Sequence, residues 1–212
     1  MNTNILSNKN FIFWDFDGVI KDSVEIKSNA YEDLFLQWGE QVSDKVRDHH
    51  RLNGGMSRFE KIPLYLSWTN ENVNEALVNK LCNDFSQLVK YKVINSPWVP
   101  GAVELIKHLN YINHNCFIVT ATPQDEIIEI LHELELHSAF KEVIGAPTNK
   151  SDAIKLIMEK YKILKDDAIM LGDSNTDMIA ASNNNIDFIL RKTNENQALQ
   201  ANLYTQMVDN FL

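Results

Sequence analysis

Phe11-Ile12-Phe13-Trp14-Asp15-Phe16-Asp17-Gly18-Val19-Ile20 runs four large apolar residues straight into an acid, sets a second acid two places on and follows it with glycine. A short apolar run bounded by such a break reads as a buried strand with both faces covered. The two acids then fall at its C-terminal end, where open α/β sheets place their chemistry. Carboxylates this close repel unless a cation or a proton relieves them. The strand needs a parallel sheet around it, and the acids need a partner charge.

Downstream, strands and helices alternate. From Pro97-Trp98-Val99-Pro100-Gly101 a helix carrying Val103, Ile106 and Leu109 leads to the apolar run Cys116 to Thr120. A further helix is expected from Pro123, with Thr122 as N-cap and Asp125 closing a capping box. A strand over Glu142 to Gly145, a helix over Asp152 to Tyr161 and a strand over Ala168 to Leu171 follow. A short helix, Met178 to Ala181, and a strand, Phe188 to Leu190, complete the series. Such alternation predicts a parallel sheet with right-handed crossovers.

Residues 20–96 contain no convincing strand. Ile26, Ala30, Leu34, Phe35 and Trp38 recur at helical spacing, and a polar stretch with His49, His50 and Arg51 reaches a break at Asn53-Gly54-Gly55. A second helix is expected from Ser57 to Ser67, and a third from the four-residue step of Val73, Leu77, Leu81, Phe85 and Leu88. About eighty residues is too long for a simple crossover, so the region reads as an inserted helical domain. The predicted fold is α/β: a Rossmann-like parallel-sheet core from 1–19 and 97–212, with a helical cap from 20–96.

Bulk properties narrow the function. The 212 residues carry a net charge of −9, which argues against a general nucleic-acid binder, because phosphate backbones need a basic face. An anionic ligand would need local cations against that field. No apolar run approaches a membrane span, and the polar, asparagine-rich start lacks a secretory pattern, so a cytoplasmic location is expected. Cys82 and Cys116, far apart in apolar contexts, read as buried free thiols.

The polar residues at the strand ends carry the chemistry. Asp15 and Asp17 follow the first strand, Thr120 the second, Lys150 the third, and Asp173 with Asp177 the fourth. In a parallel sheet these ends share one edge. Oxygen-only ligation suits a hard cation such as Mg²⁺, while a hydroxyl and an ammonium suit phosphoryl oxygens. Each also has a plainer reading: a capping box for Ser174 and Asp177, a solvated lysine for Lys150, a strand residue for Thr120. Their joint order, each at the end of its own strand, favours a site.

In these motifs the chain resembles the haloacid dehalogenase superfamily, in its helical-capped phosphatase branch that includes phosphoglycolate phosphatases and β-phosphoglucomutases. Asp15-Phe16-Asp17-Gly18-Val19-Ile20, Thr120 in Ile118-Val119-Thr120-Ala121-Thr122, Lys150 in Asn149-Lys150-Ser151, and Gly172-Asp173-Ser174-Asn175-Thr176-Asp177 match its four motifs in order. The resemblance implies a Mg²⁺-dependent phosphomonoester hydrolase acting on a small phosphorylated metabolite, a sugar phosphate or phosphoglycolate. It implies Asp15 as nucleophile through an aspartyl-phosphate and Asp17 as acid and base. Thr120, the Ala121 backbone and Lys150 would bind the phosphoryl group. Asp15, the Asp17 carbonyl and Asp173 would hold the metal, with Asp177 behind them.

Asp17 favours phosphoryl transfer over dehalogenation, since the dehalogenases lack that second acid. The phosphomutases carry a histidine twelve residues after the nucleophile, where this chain has Lys27, which weakens but does not remove that alternative. A phospho-accepting receiver fits the order of residues less well, and the complete set of catalytic residues argues against a silent binding module. In the cap, Gly55-Met56-Ser57-Arg58 resembles the family's substrate-contacting segment, and Gly55, Ser57 and Arg58 are candidate substrate contacts, with Arg58 expected to reach the non-reacting part.

Overall fold

Residues 6, 8–201 and 206–212 are described by the computed structural model. Strand β1 (Phe11–Trp14) lies at the centre, and Ile12, Phe13 and Trp14 are completely buried. It pairs in parallel with β2 (Asn115–Pro123) on one side and β4 (Ala168–Gly172) on the other. With β3 (Glu142–Ala146), β5 (Asp187–Arg191) and β6 (Gln206–Val208) the sheet order is β3-β2-β1-β4-β5-β6, parallel throughout. The winding direction reverses between β1 and β4. Ligand crevices open at the carboxyl ends flanking such a switch point.

Alternation along β1 explains why its run is apolar without interruption. Ile12 and Trp14 join Ile118 in the core on one face, with α5 (Ala102–Tyr111) and α6 (Gln124–Glu133). Phe13 joins Phe117 and Met170 on the other, with α7 (Lys150–Tyr161) and α8 (Asn175–Asn183). The Phe13 and Phe117 rings stack at 5.2 Å. Helices on both faces leave no solvated side for a polar residue to occupy.

The segment between β1 and α5 is entirely helical: α1 (Val24–Phe35), α2 (Glu40–Leu52), α3 (Arg58–Leu66) and α4 (Glu75–Ile94), apart from a 3₁₀ turn at Leu36–Trp38. Its centre is aromatic. Tyr31 stacks on Phe85 at 3.9 Å, and Phe35 meets the edge of Tyr65 at 5.5 Å. The chain leaves and returns side by side, with Lys21 bridged to Trp98. The buried Lys21 ammonium lies 4.0 Å from the Trp98 ring centroid and donates to the Ile94 carbonyl at 2.9 Å.

Several elements differ from the sequence reading. The polar stretch before Asn53 is helix α2, because Ser43, Val46 and His50 form a narrow buried line, with Val42 half-buried beside it, while most of its other positions are exposed. In α4 the buried line runs through Leu81, Cys82, Phe85, Val89 and Val93, and Val73 lies outside the helix, exposed. Asn74 caps that helix instead, accepting from the Leu77 N–H at 3.0 Å. The helix read at Met178 to Ala181 is longer, Asn175–Asn183, and α9 (Gln197–Gln200) and β6 were not anticipated. Both cysteines are buried free thiols. No helix among the described residues is long and apolar enough to cross a membrane.

Truncating Phe13 to alanine removes a ring packed on both sides by the sheet and its helices. It should cost about 3–5 kcal/mol in urea unfolding, whereas Tyr111→Ala at an exposed helix end should stay within about 0.5 kcal/mol.

Candidate active site

At the carboxyl edge of the sheet the residues expected from the four motifs come together. Asp15 follows β1 directly, its backbone N–H held by the Leu171 carbonyl at 2.9 Å. Its side chain is buried, one oxygen accepting from the Phe16 N–H at 2.7 Å and the other meeting Lys150 Nζ at 2.7 Å. Lys150 is the first residue of α7, and its ammonium also reaches Asp177 Oδ1 at 2.6 Å. The capping of α7 places it there, since Asn149 accepts from the Asp152 N–H at 2.9 Å and starts the helix one residue before the lysine. Lys150 is therefore a buried bridge between two carboxylates.

Asp177 both pairs with Lys150 and closes a capping box. One oxygen pairs with Lys150, and the other takes the Ser174 N–H at 3.1 Å and the Ser174 hydroxyl at 2.5 Å, the capping box of α8. Asp173, at the end of β4, is different. No hydrogen bond steadies its carboxylate among the described residues, and burial together with the nearby Asp15 and Asp177 charges pushes its pKa well above the usual carboxylate range. Asp15 is pushed up to about 7, by burial first; Lys150 opposes this, and Asp177 and Asp17 add to the rise. Burial alone would lower Lys150, but Asp15 and Asp177 outweigh it and hold the ammonium charged.

Asp15, Asp173 and Asp177 bring oxygens within 4.8 Å of one another. Lys150 and Ser174 already occupy Asp177, so the under-compensated pair is Asp15 with Asp173. A hard oxygen set with an unsatisfied carboxylate fits a cation such as Mg²⁺. Gly18 makes the approach possible: at φ +76° it turns the chain sharply, and a Cβ there would stand 1.9 Å from Asp173 Oδ2.

Asp17 points to a separate cluster. Ser23 Oγ donates to Oδ1 at 2.6 Å, while Oδ2 receives the Lys27 ammonium and the Thr122 hydroxyl, the latter at 3.0 Å. Burial favours the protonated form, yet Lys27 and these hydrogen bonds outweigh it and hold Asp17 below its ordinary value. Thr122 is thus not the N-cap of α6. Strand β2 runs on to Pro123, which stands at the N-cap position without a side-chain cap, and the Thr122 hydroxyl serves Asp17. Thr120 is buried where the ladder to β3 breaks after Val119, and with Ala121 it lines the cavity in front of Asp15.

The helical segment closes that cavity from above. Gly55 packs against the start of α8 so tightly that a Cβ would meet Thr176 Oγ1 at 1.9 Å. Ser57 caps α3, accepting from the Phe59 N–H at 3.3 Å. Arg58 is buried, with NH1 and NH2 held by Glu126 on α6 at 2.8 and 2.6 Å and NH1 also donating to Ser86. His50 lies in the polar stretch that the sequence brings to the Gly54-Gly55 break, whereas sequence reasoning gave Lys27, Thr122 and Lys61 no place at the cavity. Lys27 was noted only as the residue standing where a histidine would be; its ion pair with Asp17 links positions ten apart across a turn that spacing does not reveal.

A profile of the family described as haloacid dehalogenase-like hydrolase matches residues 12–191. Phosphoglycolate phosphatase 1 of Pseudomonas aeruginosa is 23% identical over 175 residues, which are 80% of this chain and 64% of that protein. The phosphorylated carbohydrates phosphatase of Thermotoga maritima is 23% identical over 201 residues, 89% of this chain and 88% of that one. Among solved structures, β-phosphoglucomutase from Clostridium difficile superposes with a TM-score of 0.76 at 18% identity, covering 96% of this chain and 92% of that one.

The unsatisfied carboxylate gives a direct test of the cation site. Mg²⁺ should raise the melting temperature of the metal-free protein. Asp173→Asn should abolish that gain and, by removing an acid whose ionised form burial and the neighbouring acids disfavour, should melt at least about 2 °C above metal-free wild type in EDTA.

Proposed function

Because the chain belongs to the haloacid dehalogenase-like hydrolase family, whose profile spans residues 12–191, we propose that it is a phosphatase hydrolysing a small phosphomonoester. A buried aspartate between a fixed ammonium and an unsatisfied second aspartate carries this reading: Asp15 with Lys150 and Asp173. Asp15 attacks phosphorus in line, forming an O–P bond as the bond to the leaving oxygen breaks and giving an aspartyl-phosphate. Lys150, Thr120 and the Ala121 backbone N–H bind the transferring oxygens. Asp15, the Asp17 carbonyl and Asp173 are the residues that would hold Mg²⁺, with Asp177 fixing Lys150 behind them. When bound, the ion supplies charge neutralisation that lets an anionic ester approach Asp15.

Asp17 gives the leaving oxygen a proton and then takes one from the water that hydrolyses the intermediate. With Lys27 on Oδ2 it rests as a carboxylate, suited to the second step. For the first it must carry a proton, which requires the Lys27 contact to loosen. The inserted helices, acting as a cap over residues 20–96, exclude water from the cavity, and Gly55, Ser57 and Arg58 border the substrate, Arg58 sharing its charge with Glu126. A mutase reading draws on the C. difficile likeness, but Lys27 stands where that group has its histidine.

Phosphate release from a panel of sugar phosphates and phosphoglycolate should require Mg²⁺ and be lost in EDTA. Asp15→Asn should lower kcat by at least about 1,000-fold and Asp17→Asn by about 100-fold or more. Isomerised phosphosugar in place of free phosphate would select the mutase instead, and no turnover of any ester would sink both.

A further inference from the structure

The cationic groups around the cavity are matched to carboxylates with one exception. Lys27 rests on Asp17, Arg58 on Glu126, and Lys150 between Asp15 and Asp177. Lys61 of α3 is 1% exposed. Its ammonium meets His50 Nδ1 at 2.7 Å and the Gly54 carbonyl at 3.2 Å, and no carboxylate pairs with it among the described residues. Both Lys61 and His50 line the same cavity as Asp15 and Thr120. A buried lysine left without a counter-charge is costly, and an apolar side chain of similar volume would pack there more cheaply. Bracing the Gly54 carbonyl does not need a charge, so bracing alone does not explain a lysine.

We propose that Lys61, oriented by His50, binds a second anionic group, a carboxylate or a second phosphoryl, at the end of the substrate away from its reacting phosphate. This rests on the phosphatase reading and deepens it by naming the substrate class: short, doubly acidic phosphomonoesters. The two ends of the cavity divide the work. Asp15, Thr120 and Ala121 stand on the sheet edge, and His50 and Lys61 on the inserted helices. Arg58 is less suited to the task, since Glu126 engages both its terminal nitrogens. One cavity is lined from both sides, so the two acidic groups belong to a single small molecule that reaches from the sheet edge to the inserted helices. A net charge of −9 makes a dedicated cation more necessary for such a ligand. Burial and the nearby Lys27 charge hold the empty Lys61 well below its ordinary pKa, and burial with the Lys61 charge holds His50 below its own. An arriving anion reverses that balance for the lysine.

Titration calorimetry with phosphonates, whose C–P bonds resist hydrolysis, separates this idea from turnover. The probes are 3-phosphonopropionate, ethane-1,2-bisphosphonate and propylphosphonate, added to the full chain with Mg²⁺. At least one doubly acidic probe should bind at least about ten-fold tighter than propylphosphonate, and which one does so identifies the second group. Lys61→Met should shrink that gap to less than about three-fold, and Lys61→Gln serves the same purpose should the first variant not fold. Equal or unmeasurable affinities of wild type for all three probes overturn the proposal whatever the variants do. A gap that survives in a cooperatively melting Lys61 variant overturns the assignment to this lysine. If the gap is present but no phosphomonoester is turned over, the anion site stands and the hydrolytic reading falls.

Discussion

One buried ammonium holds the sheet edge together. Lys150 meets Asp15 at 2.7 Å and Asp177 at 2.6 Å, and all three side chains are almost entirely out of solvent. Without it, carboxylates from β1 and from the start of α8 would face each other across a dry cleft, which water would not screen. Its own charge is secured by the same contacts, because the two acids outweigh the burial that would otherwise neutralise it. Even so, one ammonium does not balance three acids. Asp173 is left over, its ionised form disfavoured by burial and by the acids beside it, and a hard cation at the switch point between β1 and β4 would supply the missing counter-charge.

A second constraint works across the cleft. The helical insert brings its own cations over a negatively charged edge, and two of them find an acid by reaching out of their own element. Lys27 of α1 goes to Asp17, and Arg58 of α3 goes to Glu126 of α6. The Arg58–Glu126 pair is bidentate and buried, so it ties the insert to the sheet side as well as neutralising two charges. Against that near-complete pairing the solitary Lys61 is the exception. Gly18 and Gly55 serve the same closeness in another way, by removing the Cβ where Asp173 and Thr176 press against the backbone.

Much of this was legible before folding was considered. The unbroken apolar run of β1 implied burial on both faces, the strand–helix alternation implied parallel pairing, and the order of the elements picked out Asp15, Thr120, Lys150 and Asp173, although Thr120 lies within β2 and Lys150 starts α7. Less legible was anything whose signal is shared between elements. Helix α2 hid because only a narrow line, Ser43, Val46 and His50, faces inward. Thr122 looked like a helix cap because its sequence neighbours fit one, whereas its hydroxyl bonds an aspartate 105 positions away. The short edge strand β6 carries too little hydrophobic pattern to announce itself.

The sequence by itself determined the parallel sheet, the helical stretch that follows β1 and which acids end which strands, because burial periodicity and strand-end order are local properties of the chain. Only the tertiary structure decided how the charges are divided: that Lys150 bridges two aspartates, that Asp173 is left uncompensated, that Arg58 is engaged by Glu126 and that Lys61 is not engaged by any described acid. Ion pairs between groups 27 or more residues apart depend on distances of a few ångströms in a medium of low dielectric. Those distances exist only once the elements have packed.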